Sequence, residues 1–364
     1  MHLSTLITGD EIHRYQKSIV INFTGKRKTL STAPLNGGMQ HGLAAVFNHD
    51  ISVGAGMPAM LRAATYEEHM ALVASELGLD AAKAAGISTA AQMENVSIKA
   101  QSYKSITVTA VVTGGVETNG GRVGDPAPWD ELEQKSIPEP GTINIMLFIN
   151  TNLTDGALAR SLVTCTEAKT AALQELAAPS RYSMGLATGS GTDGTIIVCN
   201  SESEILLDDA GKHCKLGECI GRSVKAAVTE ALALQTGLSA ASQHDALKRV
   251  SRFGITAESI WQELGFSEPS GIYKAKYSQV LERLFAKPIL VTSCSLYAHL
   301  LDEAVWGLIS EEDAHISGKC LIGHMGVDEV SSSGGKHSSI ALMTSELQKA
   351  LCELVRRELD SIPL

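Results

Sequence analysis

Aromatic residues are scarce in this 364-residue chain, where Phe, Tyr and Trp together make up 4%. Its core must therefore be built mainly from aliphatic side chains and close contacts between elements. Basic clusters are missing too. Lysine and arginine number 30 against 40 acidic residues, a net charge of −10. The densest basic stretch, Gly25-Lys26-Arg27-Lys28, reads as a solvated turn between strands. A phosphate-backbone binder carries a basic face, so no nucleic acid partner is expected.

Long apolar runs are also absent. The most apolar piece, Ile143 to Ile149, is strand length, well short of the roughly 18 residues a membrane helix needs. Met1 to Ile7 show no basic segment followed by an apolar one, so no signal peptide and no membrane partner are expected. The expected location is the cytoplasm. Seven cysteines are scattered without a C-x-x-C pair. Reduced, mostly buried thiols follow from that spacing. What is present, 44% hydrophobic and 19% charged residues, is ordinary globular composition.

Strand signals occur at 17–24, 28–33 and 43–48, followed by a helix from Tyr66 to Leu79 with apolar residues at helical spacing. Residues 84–98 read as a shorter helix leading into a strand. Ser105 to Thr113 and Thr142 to Asn150 are the clearest strands, β-branched and apolar. Thr154-Asp155 caps a long helix to Leu176, 183–188 and 194–200 read as short strands, and Leu216 to Leu234 is a second long helix. The expected fold is α/β with α+β character: a mixed sheet, or stacked sheets, flanked by helices. After Gly237 the pattern turns helical. Residues 1–237 are expected as one domain and 238–364 as a mostly helical appendage, with a Gly/Ser/His-rich loop at 311–338 and a closing helix from Ser339 to Leu359.

Three segments carry chemistry. Thr113 to Asp125 is a loop with five glycines that offers Asn119, Arg122 and Asp125 at the end of a buried strand, where α/β proteins commonly bind ligands. Its bland alternative is a structural loop whose Asp and Arg pair. Thr188-Gly189-Ser190-Gly191-Thr192-Asp193-Gly194 formally contains G-x-G-x-x-G, but a strand follows it where a dinucleotide site needs a helix. A tight turn with hydroxyls and one carboxylate remains, or simply a hairpin. His213 stands just before a helix with Glu218 in its first turns, the usual general-base pair. Surface His and buried Cys are the plainer account, and no zinc-ligand spacing accompanies Cys214 and Cys219. Glu167 and Lys169 are two apart on one helix and point to different faces, so one of them can reach the site, with a solvated face the preferred reading.

These segments resemble the adenosylcobinamide amidohydrolase (CbiZ-type) family. The matching pieces, in order over roughly residues 15–237, are Leu30 to Gly38, Thr118-Asn119 to Gly124-Asp125, Gly141 to Asn144, Thr166 to Leu173, Ala187 to Asp193, and His213 to Glu218 with Ile220-Gly221. The first loop departs from the family's Asn-Ala-x-Arg-Ala-Gly-Asp at the Ala positions and keeps every polar group. The second has Ser190 where Thr is common, preserving a hydroxyl.

The resemblance implies hydrolysis of the secondary amide joining a corrin carboxyl to (R)-1-amino-2-propanol, giving adenosylcobyric acid. The substrate is adenosylcobinamide, or a pseudo-cobalamin that yields the phosphate-linked amino alcohol. The corrinoid brings cobalt as part of the substrate, and no cofactor is expected. The expected roles are His213 with Glu218 as base and then acid, and Asn119 with the 188–194 amides as oxyanion donors. Asp193 and Asp125 would orient the nucleophile, and Arg122 would anchor a corrin amide or phosphate. Asn36, Thr118, Thr188 and Thr192 are expected to line the substrate site, and a Thr118 or Thr192 acyl-enzyme is the rival route. Two other readings stand beside this one: a non-catalytic corrinoid-binding protein, and an unrelated amide hydrolase or acyltransferase.

In the appendage, Asp313-Ala314-His315-Ile316-Ser317-Gly318 reproduces the D-x-H-x-x-G pattern in which a His ligates corrinoid cobalt, but in helical surroundings that do not suit it. His315 is the single metal candidate. His324, His337 and Gly334-Gly335 read equally as a lid or a dimer contact, so a homo-oligomer is one expected assembly.

Overall fold

The computed structural model describes residues 1–52, 61–127, 130, 132, 141–265, 271–327 and 339–361. They form two compact units, Met1–Ser239 and Ala240–Leu364. His337 and the Gly334-Gly335 pair lie outside the described residues.

In chain order the first unit contains β1 (His2–Thr5), β2 (Glu11–Arg14), β3 (Ser18–Asn22), β4 (Arg27–Ser31), β5 (Gly38–Gln40), β6 (Ala45–Asp50) and α1 (Tyr66–Glu76). Next come β7 (Ala84–Thr89), β8 (Ser97–Tyr103), β9 (Ile106–Gly115), β10 (Gly120–Gly121), β11 (Thr142–Ile149) and β12 (Asn152–Leu153). It closes with α2 (Asp155–Glu175), β13 (Gly189–Ser190), β14 (Gly194–Asn200), β15 (Leu206–Leu207) and α3 (Lys215–Thr236). One sheet runs β1-β2-β3-β6-β7 and the other β5-β4-β14-β11-β9-β8. Each is mixed, because β6–β7 and β11–β14 are parallel pairs among antiparallel ones.

The period-two alternation of the strands sorts the layers. Along β11, Ile143, Ile145, Leu147 and Ile149 pack with the apolar faces of α2 and α3. The residues between them, Met146 and Phe148, pack with Ile19, Ile21 and Val46 of the other sheet. On that sheet's far face, Val20 and Phe47 meet Met70 and Val73 of α1. The result is helix, sheet, sheet, helices. Thr65 caps α1 through a capping box with Glu68, and Thr154 caps α2, the second as the sequence signals predict.

One expectation needs correction here. Residues 84–89 form the buried edge strand β7, not a helix. A Cβ on Gly86 would overlap the Phe47 ring, so the glycine serves close strand packing that an Ala-rich pattern does not reveal.

The second unit is helical: α4 (Ala246–Val250), α5 (Ala257–Glu263), α6 (Gly271–Phe285), α7 (Pro288–Val305), α8 (Glu311–His324) and α9 (Ser339–Asp360). Its core joins Val280, Leu284, Cys294, Tyr297, Leu301, Leu347, Leu351 and Val355. Arg252 grips Asp302 through two bonds of 2.6 and 2.5 Å, a bidentate pair. The loop expected over 311–338 is helical up to His324. Ser310 caps α8 by accepting from Asp313 N, and Gly318 brings the helix against the Tyr297 ring. Among the described residues no single helix is long and apolar enough to cross a membrane. Lys274–Phe285 and Pro288–Val305 together match one in length and composition, but they bend by 78°.

Candidate functional site

Because β11 and β14 are parallel, both begin at the same rim of their sheet, at Thr142 and Gly194, where the antiparallel β9 ends at Gly115. The two glycine-rich loops meet there. Gly120 and Gly121 of the first pair with Ser190 and Gly189 of the second in a small antiparallel ladder. Val123 N donates to Thr188 Oγ1 at 2.9 Å, and Thr170 Oγ1 on α2 donates to the Thr188 carbonyl at 3.1 Å.

Asp193 is the hub of this rim. Its Oδ1 accepts from Ile143 N at 2.8 Å and from Ser190 Oγ at 2.7 Å. Its Oδ2 accepts from Ser190 N at 3.1 Å and forms an ion pair with Lys169 of α2, both side chains being nearly buried. A Cβ on Gly189 would run into Asp193 Oδ2 and Lys169 Nζ, so this position must stay glycine for the pair to form.

Three side chains then converge on one carbonyl oxygen. Asn119 Nδ2 lies 2.6 Å from Gly141 O, Thr192 Oγ1 2.7 Å and Ser190 Oγ 3.2 Å. Asn119 is 2% exposed. Behind them, a buried amide chain links the sheets: Asn144 Nδ2 donates to Asn48 Oδ1 at 2.7 Å and to Ser88 O at 2.8 Å, and Asn48 Nδ2 donates to Thr113 Oγ1 at 2.7 Å. Asn144 Oδ1 in turn accepts from Gly194 N at 3.0 Å. The arrangement brings donors to an amide oxygen, a carboxylate-held hydroxyl and a cation together at one rim. Those are the elements of acyl chemistry.

Asp125 locks the first loop. Its Oδ2 accepts from Arg122 N at 2.8 Å and from Ser180 Oγ at 2.6 Å. Burial acts to raise its pKa, but the hydrogen bonds of Ser180, Ser183 and Arg122 N outweigh that and hold it below the usual carboxylate range. Arg122 passes over Gly185 with Nη1 3.5 Å from Leu186 O. Thr118 is exposed on the same loop. Asn36 has a positive φ, and its amide bridges Ala81 O and Ala84 O at 2.7 and 2.8 Å, a structural clasp rather than a free substrate contact.

His213 and Glu218 are not part of this cluster, which corrects the expected general-base pair. A Cβ on Gly115 would touch Gln235 and Thr236, so the last turn of α3 is the one at the rim. Its first turn is at the far end of the β8–β9 hairpin, where Lys215 Nζ sits 5.0 Å over the Tyr103 ring. The 22 residues between rise about 33 Å. Glu218 bonds Lys215 at 2.7 Å and Arg222 at 2.8 Å, which pull its pKa down. His213 is exposed.

Lys169 is the residue that sequence reasoning misplaced: its side chain is 12% exposed and reaches the loop, while Glu167 does lie on a surface, paired with Lys212. Ser190 and Asn144 were also missed as site residues, although both stand inside the family-like pieces. Among the described residues no group of three or more His, Cys, Asp or Glu side chains could hold a metal ion. His315 sits within α8, its Nε2 2.8 Å from the buried Glu346 Oε2, not in the strand-to-helix loop of a cobalt ligand.

Comparison with known proteins adds the following. A family model described as adenosylcobinamide amidohydrolase matches residues 3–240. The chain is 37% identical over 232 residues to the uncharacterized protein MJ1613 of Methanocaldococcus jannaschii, an alignment covering 60% of this chain and 87% of that one. It is also similar, at 13% identity and a TM-score of 0.29, to the crystal structure of the PH0078 protein from Pyrococcus horikoshii OT3, over 63% of this chain and 82% of that one.

Proposed function

The chain belongs to the adenosylcobinamide amidohydrolase family, and from that premise we propose that it hydrolyses the secondary amide of adenosylcobinamide in the cytoplasm, releasing adenosylcobyric acid and aminopropanol. Water adds across the C–N bond. The carbonyl carbon becomes a carboxylate and the nitrogen leaves as an amine.

The observation that supports this reading is the convergence of Asn119, Ser190 and Thr192 on a single carbonyl oxygen beside Asp193 and Lys169. An unactivated amide demands donors for its developing oxyanion, and each such donor contributes about 3–4 kcal/mol to the rate. Asn119 Nδ2 and Thr192 Oγ1 serve that role, Asp193 holds the reacting hydroxyl, and Arg122 with Asp125 shapes the loop that meets the corrin periphery. The base pair His213–Glu218 has no part in it.

The deciding experiment incubates the purified full-length protein with adenosylcobinamide and quantifies free aminopropanol and adenosylcobyric acid. Tight corrinoid binding without aminopropanol release would convert the reading to a binding protein.

A further inference from the structure

Building on the amidohydrolase reading, we infer that Ser190 is the nucleophile of an acyl-enzyme mechanism, and that Asn119 and Thr192 form the oxyanion site beside it. The placement of one proton carries the argument. Ser190 Oγ is 2.7 Å from Asp193 Oδ1 and 3.2 Å from Gly141 O. A hydroxyl has a single proton, and an ionised carboxylate is a stronger and closer acceptor than a peptide carbonyl. The proton therefore points at Asp193, and with Ser190 Oγ also accepting from Thr192 N at 3.4 Å, one lone pair is left toward the Gly141 peptide. Gly141 O is held by Asn119 Nδ2 at 2.6 Å and Thr192 Oγ1 at 2.7 Å. The chain's own peptide thus stands where a scissile amide belongs, its oxygen between two donors and an activated hydroxyl at its side.

Thr192 is excluded as the nucleophile because its hydroxyl donates to the carbonyl and no carboxylate takes its proton among the described contacts. Ser190 has what Thr192 lacks, a base bonded to its oxygen. Lys169 on the other carboxylate oxygen keeps Asp193 turned toward Ser190.

The steps balance. Ser190 Oγ forms a bond to the amide carbon as its proton passes to Asp193. The C–N bond breaks, and the amine nitrogen leaves with that proton. Water then attacks the ester carbon and gives one proton to Asp193, which returns it to Ser190 Oγ as the C–O bond breaks. Free enzyme and adenosylcobyric acid remain.

The test uses the full chain, adenosylcobinamide and hydroxylamine. Wild type should release aminopropanol in a burst, accumulate a cobyric acyl adduct detectable by intact-protein mass spectrometry after acid quench, and divert product to the hydroxamate. Ser190→Ala should lose the adduct and at least about 10³-fold in turnover while keeping the wild-type melting temperature. Ser190→Cys should restore the adduct. Thr192→Val and Asn119→Leu should still form the adduct, about 10²–10³-fold more slowly. A Ser190→Ala protein that keeps its adduct or turns over within twofold of wild type overturns the assignment. So does a wild type that releases aminopropanol with neither burst nor hydroxamate, which would leave the amidohydrolase reading standing. Absence of any aminopropanol release by wild type would overturn both.

Discussion

Asn48 of β6 accepts the side-chain amide of Asn144 on β11 at 2.7 Å, a hydrogen bond that crosses from one sheet to the other between otherwise apolar layers. Both residues are essentially buried, at 2% and 1% exposure. Asn144 also donates to Ser88 O and accepts from Gly194 N, so each of its polar atoms has a partner. A buried network satisfied in this way fixes one arrangement of its surroundings. Here it fixes the spacing of two sheets and the start of β14, one residue after Asp193.

Asn144→Ala should therefore cost more than the lost bonds. It strands Asn48 Oδ1 and Gly194 N inside the interface, and about 3 kcal/mol of stability is the expected loss. The double change Asn48→Leu with Asn144→Leu removes both partners and should recover part of that loss, while still displacing the Asp193 turn. Urea midpoints of the single and double variants check the first expectation. Turnover of the double variant, lower by at least tenfold at near-normal stability, checks the second.

Lys169 and Asp193 form the second coupled pair. Their side chains are 12% and 11% exposed, so removing one leaves a nearly buried charge alone. Lys169→Met and Asp193→Asn should each destabilise the protein by about 2–3 kcal/mol, and the double variant by clearly less than their sum. A double-mutant cycle measured by denaturant unfolding reads the coupling. Strict additivity would show the pair to be energetically idle.

How far the sequence reveals this site depends on the distance scale of each signal. β9 and β11 are legible because alternation and β-branching are local, and the cap at Thr154 is read from residues within one turn. Lys169 is not legible as a site residue. Helical spacing places it on a face, but only the ladder between Gly120–Gly121 and Gly189–Ser190 brings Asp193 to that face. His213 fails for the opposite reason. Its position before a helix is correct, yet nothing local says that α3 runs toward the rim and carries its first turn away from it. The Ala-rich β7 misleads because small residues suit a helix and a tightly packed strand alike.

His49 gives the fold a defined acid sensitivity. Burial, and secondarily the neighbouring His69, lowers its pKa from 6.5 to about 4. Above pH 6.5 the ring is neutral in both folded and unfolded chains and its contribution is fully present. As pH falls from 6.5 toward 4, the unfolded chain takes up a proton that the folded one refuses, so stability declines. Allowing for the part exposure of the ring, the loss is about 1–2 kcal/mol. Ser18 Oγ at 2.8 Å from His49 Nδ1 holds the neutral ring in place. Melting temperatures of wild type and His49→Gln between pH 7 and 4 should converge as the pH drops, because the variant lacks the titrating group. A parallel pair of curves would assign the acid sensitivity elsewhere.

His213 supplies the sharpest test of the site's location. A His ahead of a carboxylate at a helix start is an inviting general base, and it lies in one of the segments that resemble the family. The two ends of α3 face different places: Gln235 and Thr236 face Gly115 at the rim, while Lys215 sits over Tyr103 at the far end of the β8–β9 hairpin, and Lys212 beside His213 pairs with Glu167 on the surface of α2. Glu218 is occupied by Lys215 and Arg222 and has no imidazole to orient. His213→Ala and Glu218→Gln should therefore turn over adenosylcobinamide within about threefold of wild type, with an unchanged pH profile, whereas Asn119→Leu and Ser190→Ala should not. A hundredfold fall in turnover in His213→Ala, with the fold intact, would return the general base to His213 and require α3 to bring its first turn to the loops.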